Sequence, residues 1–336
     1  MRYTCAVLGM LALCFAVTRS PGAAGKKKNP DDITQTLALR KDPPAVATGE
    51  TRHLLFTVSP LSGKGLLTQQ TRDALKAILK ENGGAPVVHI RAFVAGSGDV
   101  RRVPQIVSEV FTDKKLPLPS VSVIRAGGLP VDNAQVVLEA VSVAKKETNS
   151  GGVQFVAGEG ITGKDPAASA KPLLEKALEQ LSSKANKAAA LEVTCYVSEL
   201  TRPAELAALI SGRFPGATVD LIQTQRLPWQ AFAGCEAVTR GGTAPAKLAF
   251  TGTRVAFGSQ EKDAALAFQR LDKDLAEAGA APADIVLTNV YPLSGQVANL
   301  VRQVRPASPA MSGVIFEGLA SIDAGFAVDA VAAVSR

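Results

Sequence analysis

The stretch "LPLPSVSVIRAGGLP", Leu116 to Pro130, alternates apolar and small polar residues like a sheet strand and is framed by prolines. Nine residues beyond Pro130 stands Glu139, the one acid in the apolar run "VVLEAVSVA". Both features recur down the chain. Strand-preceding prolines stand at Pro117, Pro215 and Pro309, with spacings of 98 and 94. Single acids inside apolar runs stand at Glu139, Glu236 and Asp329, with spacings of 97 and 93.

Upstream, each copy starts on a short apolar strand: "HLLFTVS", "GVQFVAG" and "KLAFTGT". Their phenylalanines, Phe56, Phe155 and Phe250, are spaced 99 and 95 apart. An amphipathic stretch follows each, with apolar residues three and four apart: Leu75, Ile78 and Leu79, then Leu173, Leu174, Ala177 and Leu181, then Ala264, Leu266, Leu271 and Leu275. Gly83 and Gly279 read as helix stops, and Arg202-Pro203 and Ser294 as helix starts. Agreement of independent landmarks on one period is the signature of internal repetition. The chain reads as three β-α-β-α-β-β units, at 51–150, 151–242 and 243–336.

The N-terminus predicts a different fate. Arg2 precedes an apolar run from Ala6 to Val17, too short for a comfortable bilayer span, and "PGAAG" supplies small residues for cleavage. Residues 1–25 are expected to be a signal peptide. "LALC" leaves a lipoprotein route open, although Leu13 sits where such a site carries a small residue. The expected location is periplasmic or extracellular, with no membrane span in the mature chain. Residues 26–50, polar and holding three prolines, read as a linker.

Composition narrows function further. An apolar fraction of 46% allows a sizeable core, and 5% aromatic content argues against a nucleic-acid stacking platform. Loss of Arg2 and Arg19 would lower the net charge from +7 to about +5, with "KKK" at 26–28 a solvated tail. The two histidines, His53 and His89, and the cysteines lack metal-ligand spacing, so no metal site is expected.

The first unit resembles the Rid (YjgF-like) family, long labelled "endoribonuclease L-PSP". "QTRDALKAILKENGGAPVVHIRAFV" is similar to the family's first helix and following strand. "LPLPSVSVIRAGGLPVDNAQVVLEAVSVA" is similar to its Pro-x-Arg-Ser strand, Leu-Pro turn and closing acidic strand. The third unit matches through "FTGT" and "EAGAAPADIVLTNVYP"; the second is tied in by the repeat. The resemblance implies an α/β (α+β) chorismate-mutase-like fold, a mixed sheet backed by two helices. Family members are typically homotrimers with ligand clefts between subunits. Three units in one chain would make a monomeric, fused pseudo-trimer, each sheet burying its open face against the others. The family commonly deaminates imines and enamines without a cofactor. An arginine clamps the substrate carboxylate, and a closing-strand glutamate helps hold water.

This sequence departs at the clamp. The arginine positions hold Pro119, Ala217 and Met311, none of them basic. The acids Glu139, Glu236 and Asp329 are kept, either as buried structural groups or as polar anchors in a cleft. Arg91, mid-strand in "VVHIRAFVA", and Arg125 and Arg226, before the turns, are the replacement ligand-binding residues. The resemblance makes the strands of Cys195 and Cys235 neighbours, so the pair is either a disulfide or two packed thiols. Trp229 reads as a turn-covering residue. The chain is thus expected to bind a small carboxylate or imine metabolite, or to act as a scaffold. The alternative is a divergent deaminase or hydrolase whose acids orient water.

Overall fold

Periodic apolar faces fold as the helices they predict. In this computed structural model, which describes residues 46–49, 54–95, 99–143, 153–165, 169–224, 230–240, 248–305 and 314–334, the first strand is β1 (Val46–Gly49). Then come β2 (Leu54–Val58), α1 (Leu67–Glu81), β3 (Val87–Ala95), α2 (Arg102–Asp113), β4 (Ser120–Ala126) and β5 (Val136–Val143). The second run is β6 (Val153–Ala157), β7 (Ile161–Thr162), α3 (Ala170–Lys184), β8 (Ala190–Val197), α4 (Pro203–Arg213), β9 (Thr218–Gln223) and β10 (Phe232–Arg240). The third is β11 (Leu248–Phe250), β12 (Arg254–Ala256), α5 (Glu261–Glu277), β13 (Ile285–Pro292), α6 (Gly295–Val304), β14 (Gly318–Leu319) and β15 (Phe326–Ala333).

Helix ends follow the local chemistry. Gly83 and Gly279 take the left-handed conformation just past α1 and α5, at φ of 57° and 80°, which a β-carbon would oppose. Pro203 opens α4, where its missing N–H removes nothing. The Ser294 hydroxyl accepts the Val297 N–H at the start of α6.

The fold is mixed α/β, with three sheets. In each, the closing strand lies in the middle: β5 between β2 and β3, β10 between β6 and β8, and β15 between β11 and β13. These pairings are antiparallel, whereas β3–β4 and β8–β9 are parallel and are connected through α2 and α4.

Side-chain alternation splits each sheet into two faces. On β5, Val136, Leu138 and Ala140 point to α1 and α2. On β10, Ala233, Cys235 and Ala237 point to α3 and α4. On β15, Phe326, Val328, Ala330 and Ala332 point to α5 and α6. The opposite faces meet one another. One central cluster joins Phe93, Tyr196, Tyr291 and Phe316; another joins Val141, Val238 and Val331 with Phe155 and Leu287. Strands buried on both faces read as near-continuous apolar runs, which is why one acid in each is conspicuous. The three sheets lie within one compact unit, Arg40–Arg336.

Two expectations are corrected, and one open alternative is decided. The last residues of the presumed linker, 46–49, are strand β1, antiparallel to β6 in the second run's sheet. The strand expected over 309–316 is reduced, among the described residues, to a bridge between Ile315 and Gly128, and the β14 that follows pairs with β9. Cys195 and Cys235 form a disulfide, because β8 and β10 place them directly opposite each other with Cα atoms 4.2 Å apart. The signal segment 1–25, Arg226, Trp229, Pro309 and Met311 lie outside the described residues.

Candidate functional site

Strand register aligns the repeated landmarks in rows. The phenylalanines oppose valines two residues past the acids: Phe56 opposite Val141, Phe155 opposite Val238, Phe250 opposite Val331. The acids oppose the middle of each second strand: Glu139 opposite Arg91, Glu236 opposite Thr194, Asp329 opposite Asn289. A polar layer is therefore sandwiched between an apolar collar and the Phe93–Tyr196–Tyr291 cluster.

Arg91 is the hub of that layer. Its Nε donates to Glu236 Oε1 at 2.5 Å, and its Nη1 donates to Glu139 Oε2 at 3.1 Å and to Asn289 Oδ1 at 3.4 Å. The Asn289 amide passes the contact on, its Nδ2 donating to Asp329 Oδ1 at 2.6 Å. Arg91 thus gathers all three predicted acids, two directly and one through an amide. His89 joins from the same face of β3, with Nε2 3.5 Å from Glu236 Oε2 and Nδ1 2.8 Å from Ser120 Oγ.

Burial sets the electrostatics. Desolvation opposes charge on Arg91, yet Glu236 foremost holds its guanidinium well above the ordinary range. Burial also pushes Glu236 up, but Arg91, His89 and Ser122 draw it down to about 2. Two acids absent from the sequence reading complete the layer. Glu192 on β8 is raised to about 8, by burial first and then by Asp329. Asp220 on β9 is raised well above its usual range by burial, Asp329 and Glu192. Asp329 is raised to about 7 by burial, against the hydrogen bonds of Tyr291 and Asn289. At neutral pH, Glu236 is ionised against Arg91, while Glu192 is held largely as a neutral acid.

The second feature is a groove of about 800 Å³ between the first and second runs. Val121, Val123 and Arg125 of β4 and the start of α2 form one wall; Gly158, Gly160, Thr162 and Phe232 form the other. A smaller recess, bounded by Ser122, Tyr196 and Phe232, has Glu236 among its lining residues. Phe232 fits there because neighbouring positions lack side chains: a β-carbon on Gly160 would fall 2.6 Å from its ring, and one on Gly234 2.8 Å. Thr224, wholly buried, lines the groove with a hydroxyl that has no hydrogen-bond partner.

The predicted site residues thus divide. Arg91, Glu139, Glu236 and Asp329 come together in the buried layer. Arg125 stands apart on the other face of β4, in the groove, where Asp99 on the same lining interacts with its charge. Pro119 is buried just before β4, and Ala217 packs against the second helix-side core just before β9. Glu192, Asp220 and Asn289 were missed. Strand parity places Glu192 with Thr194 and Tyr196, and Asn289 with Tyr291, on one face of their strands. Among the described residues, no group of three His, Cys, Asp or Glu side chains is arranged to hold a metal ion. No described helix is long and apolar enough to cross a membrane.

No family model and no curated protein matches the chain. Similar solved structures include a chorismatase, 12% identical over 86% of this chain and 100% of that one, with a TM-score of 0.47. Cyanuric acid hydrolase from A. caulinodans is 12% identical over 84% of this chain and 100% of that one, with a TM-score of 0.39. YjgF/Rid proteins are similar over about a quarter to a third of the chain. Among them, the YjgF gene product of E. coli is 21% identical over 33% of this chain and 100% of that one, with a TM-score of 0.25.

Proposed function

We propose that the chain is an exported, three-unit Rid-like pseudo-trimer that binds a small anionic molecule in the groove between its first two units. One observation carries this reading. The groove holds Arg125, which makes no salt bridge among the described residues and shares the lining with Asp99, whose charge it faces, together with the buried, unpartnered hydroxyl of Thr224. Its volume, about 800 Å³, lies in the range of small-molecule sites. A guanidinium facing a partly enclosed cleft suits a carboxylate, which accepts two of its N–H groups at once.

Binding is favoured over imine deamination for a separate reason. Pro119 and Ala217 cannot clamp a carboxylate, and Arg91 is committed to Glu236, Glu139 and Asn289. Glu236, at the inner recess, is tied to Arg91 and His89 and offers no free base to a substrate. Periods shared by phenylalanines, prolines and acids, with matching strand registers, support the pseudo-trimer. The apolar N-terminal run and the disulfide support export.

The test is thermal stabilisation of the chain lacking residues 1–25 by millimolar pyruvate and 2-oxobutanoate, alongside keto-acid release from 2-iminobutanoate made in situ. The expected result is stabilisation by the keto acids, lost in Arg125→Ala and weakened in Thr224→Val, with no release above background. Release above background that survives purification would overturn the binding reading. Stabilisation unchanged in Arg125→Ala would overturn the site.

A further inference from the structure

The collar above Arg91 encloses a second, narrower cavity. Phe56, Phe155 and Phe250 surround its mouth, and Phe56 and Phe250 keep partial exposure. Its floor holds Arg91, Glu139, Glu192 and Glu236. About 30 Å³ is open to the centres of water molecules, room for two or three of them. The walls are therefore aromatic and aliphatic, and the floor has more carboxyl groups than cations.

On that floor the carboxyl oxygens Glu192 Oε1 and Glu236 Oε2 lack a hydrogen-bond partner among the described residues; the second faces His89 Nε2 at 3.5 Å, which leaves Glu192 unexplained. It is 4% exposed, and its Oε1 has no hydrogen-bond partner. Asp220 shares its other side. Arg91 serves Glu236 and Glu139 and makes no hydrogen bond to Glu192. An unsatisfied carboxyl oxygen in a largely apolar cavity carries a desolvation penalty that a bound donor would relieve.

We propose that this cavity binds a short primary alkylammonium ion, its head on Glu192 and its tail between Phe56, Phe155 and Phe250. An ammonium supplies N–H donors to the Glu192 oxygen that Arg91 does not serve, and the phenylalanine rings bury its apolar tail. The size fits a head no larger than a water, with a tail of one to three carbons. A carboxylate ligand would be repelled here, so this site and the groove select opposite charges.

Binding moves a proton in a defined direction. The neutral Glu192 carboxyl gives its proton to solvent as the ammonium docks, and the resulting carboxylate accepts an N–H from the ligand. Uptake therefore strengthens as pH rises from 7 to 9, while the amine itself stays protonated. With Glu192 raised to about 8, the binding-competent fraction rises about tenfold over that interval. The charged and titratable groups facing Glu192 are Arg91 and His89 on β3, Asp220 on β9, Glu236 on β10 and Asp329 on β15, with Glu139 on β5 beyond Arg91.

The experiment is calorimetric titration of the full mature chain with propylammonium chloride, propan-1-ol and sodium propanoate, at pH 7 and pH 9. The expected result is binding of propylammonium alone, about tenfold tighter at pH 9, and lost in Glu192→Gln. Phe56→Leu, at the half-exposed mouth, should weaken it without touching the floor, which keeps the test usable if Glu192→Gln fails to fold. Equal binding of propan-1-ol, no binding of any probe, or affinity independent of pH would overturn the proposal.

Discussion

Arg91 on β3 and Glu236 on β10 are hydrogen-bonded across 145 positions of sequence, both nearly inaccessible to solvent. Their charges satisfy each other in a layer with apolar clusters above and below. Removing one partner strands the other. Arg91→Ala should therefore destabilise the fold by about 3–5 kcal/mol. Arg91→Met combined with Glu236→Met should cost less than Arg91→Ala alone, because no lone carboxylate remains on that pair. Urea denaturation of the three chains checks this. A double variant at least as unstable as Arg91→Ala would contradict the pairing argument.

Acidity gives a second prediction. Glu192 and Asp329 rise from ordinary values of 4.5 and 3.8 to about 8 and about 7, so between those limits the folded chain binds more protons than the unfolded one. Their contribution is fully present below about pH 4 and declines as pH climbs through 7 and 8. Glu236, lowered from 4.5 to about 2, acts oppositely, and its contribution fades as pH falls below about 4. Stability measured by urea should peak near pH 4–5 and fall by a few kcal/mol toward pH 9. Glu192→Gln should flatten the alkaline limb. Stability rising steadily from pH 5 to pH 9 would refute the assignment.

The disulfide predicts a redox response. It closes 40 positions of chain between paired strands, on the helix side of the sheet behind Glu236. Cys195→Ala with Cys235→Ala should cost about 2–4 kcal/mol. Mild reductant alone should act slowly, since the bridge is buried. Melting of the variant and of the reduced protein, side by side, measures both.

The groove wall can be altered one atom at a time. A methyl on Gly160 meets the Phe232 ring and nothing of the backbone at comparable distance. Gly160→Ala should push that ring toward the groove and reduce keto-acid binding several-fold, with a stability change under about 2 kcal/mol. Unchanged affinity would show that the ligand does not reach Phe232.

How far the sequence revealed this arrangement depends on which rule each residue obeyed. Glu139, Glu236 and Asp329 were visible because a charge in an apolar run breaks a pattern, and their equal spacing placed them at matching register. Arg91 was visible as a mid-strand charge. Its pairing with them was not, because Glu236 and Asn289 belong to strands 145 and 198 positions away, and local periodicity carries no information on which sheets face each other. Glu192 and Asp220 hid for the opposite reason. "LEVTCYV" and "TVDLIQ" alternate like strands with one face in water, so their acids read as solvated. Burial of both faces reversed that. Strand β1 was missed because four residues beside prolines give too short a pattern to separate from a linker.

The reach of Arg91 also bears on how the chain is made. Its hydrogen bonds span 48, 145 and 198 positions, so they draw on segments that leave the ribosome early, midway and late. An emerging first run would hold a guanidinium whose main carboxylate partner does not yet exist, on a sheet face with nothing to cover it. Contacts this distant slow folding, because loop closure must precede the reward. Partly translated or truncated chains would then expose the apolar collar and be drawn into aggregation or toward a chaperone. Fusing the runs into one polypeptide ties the survival of each to the completion of the last.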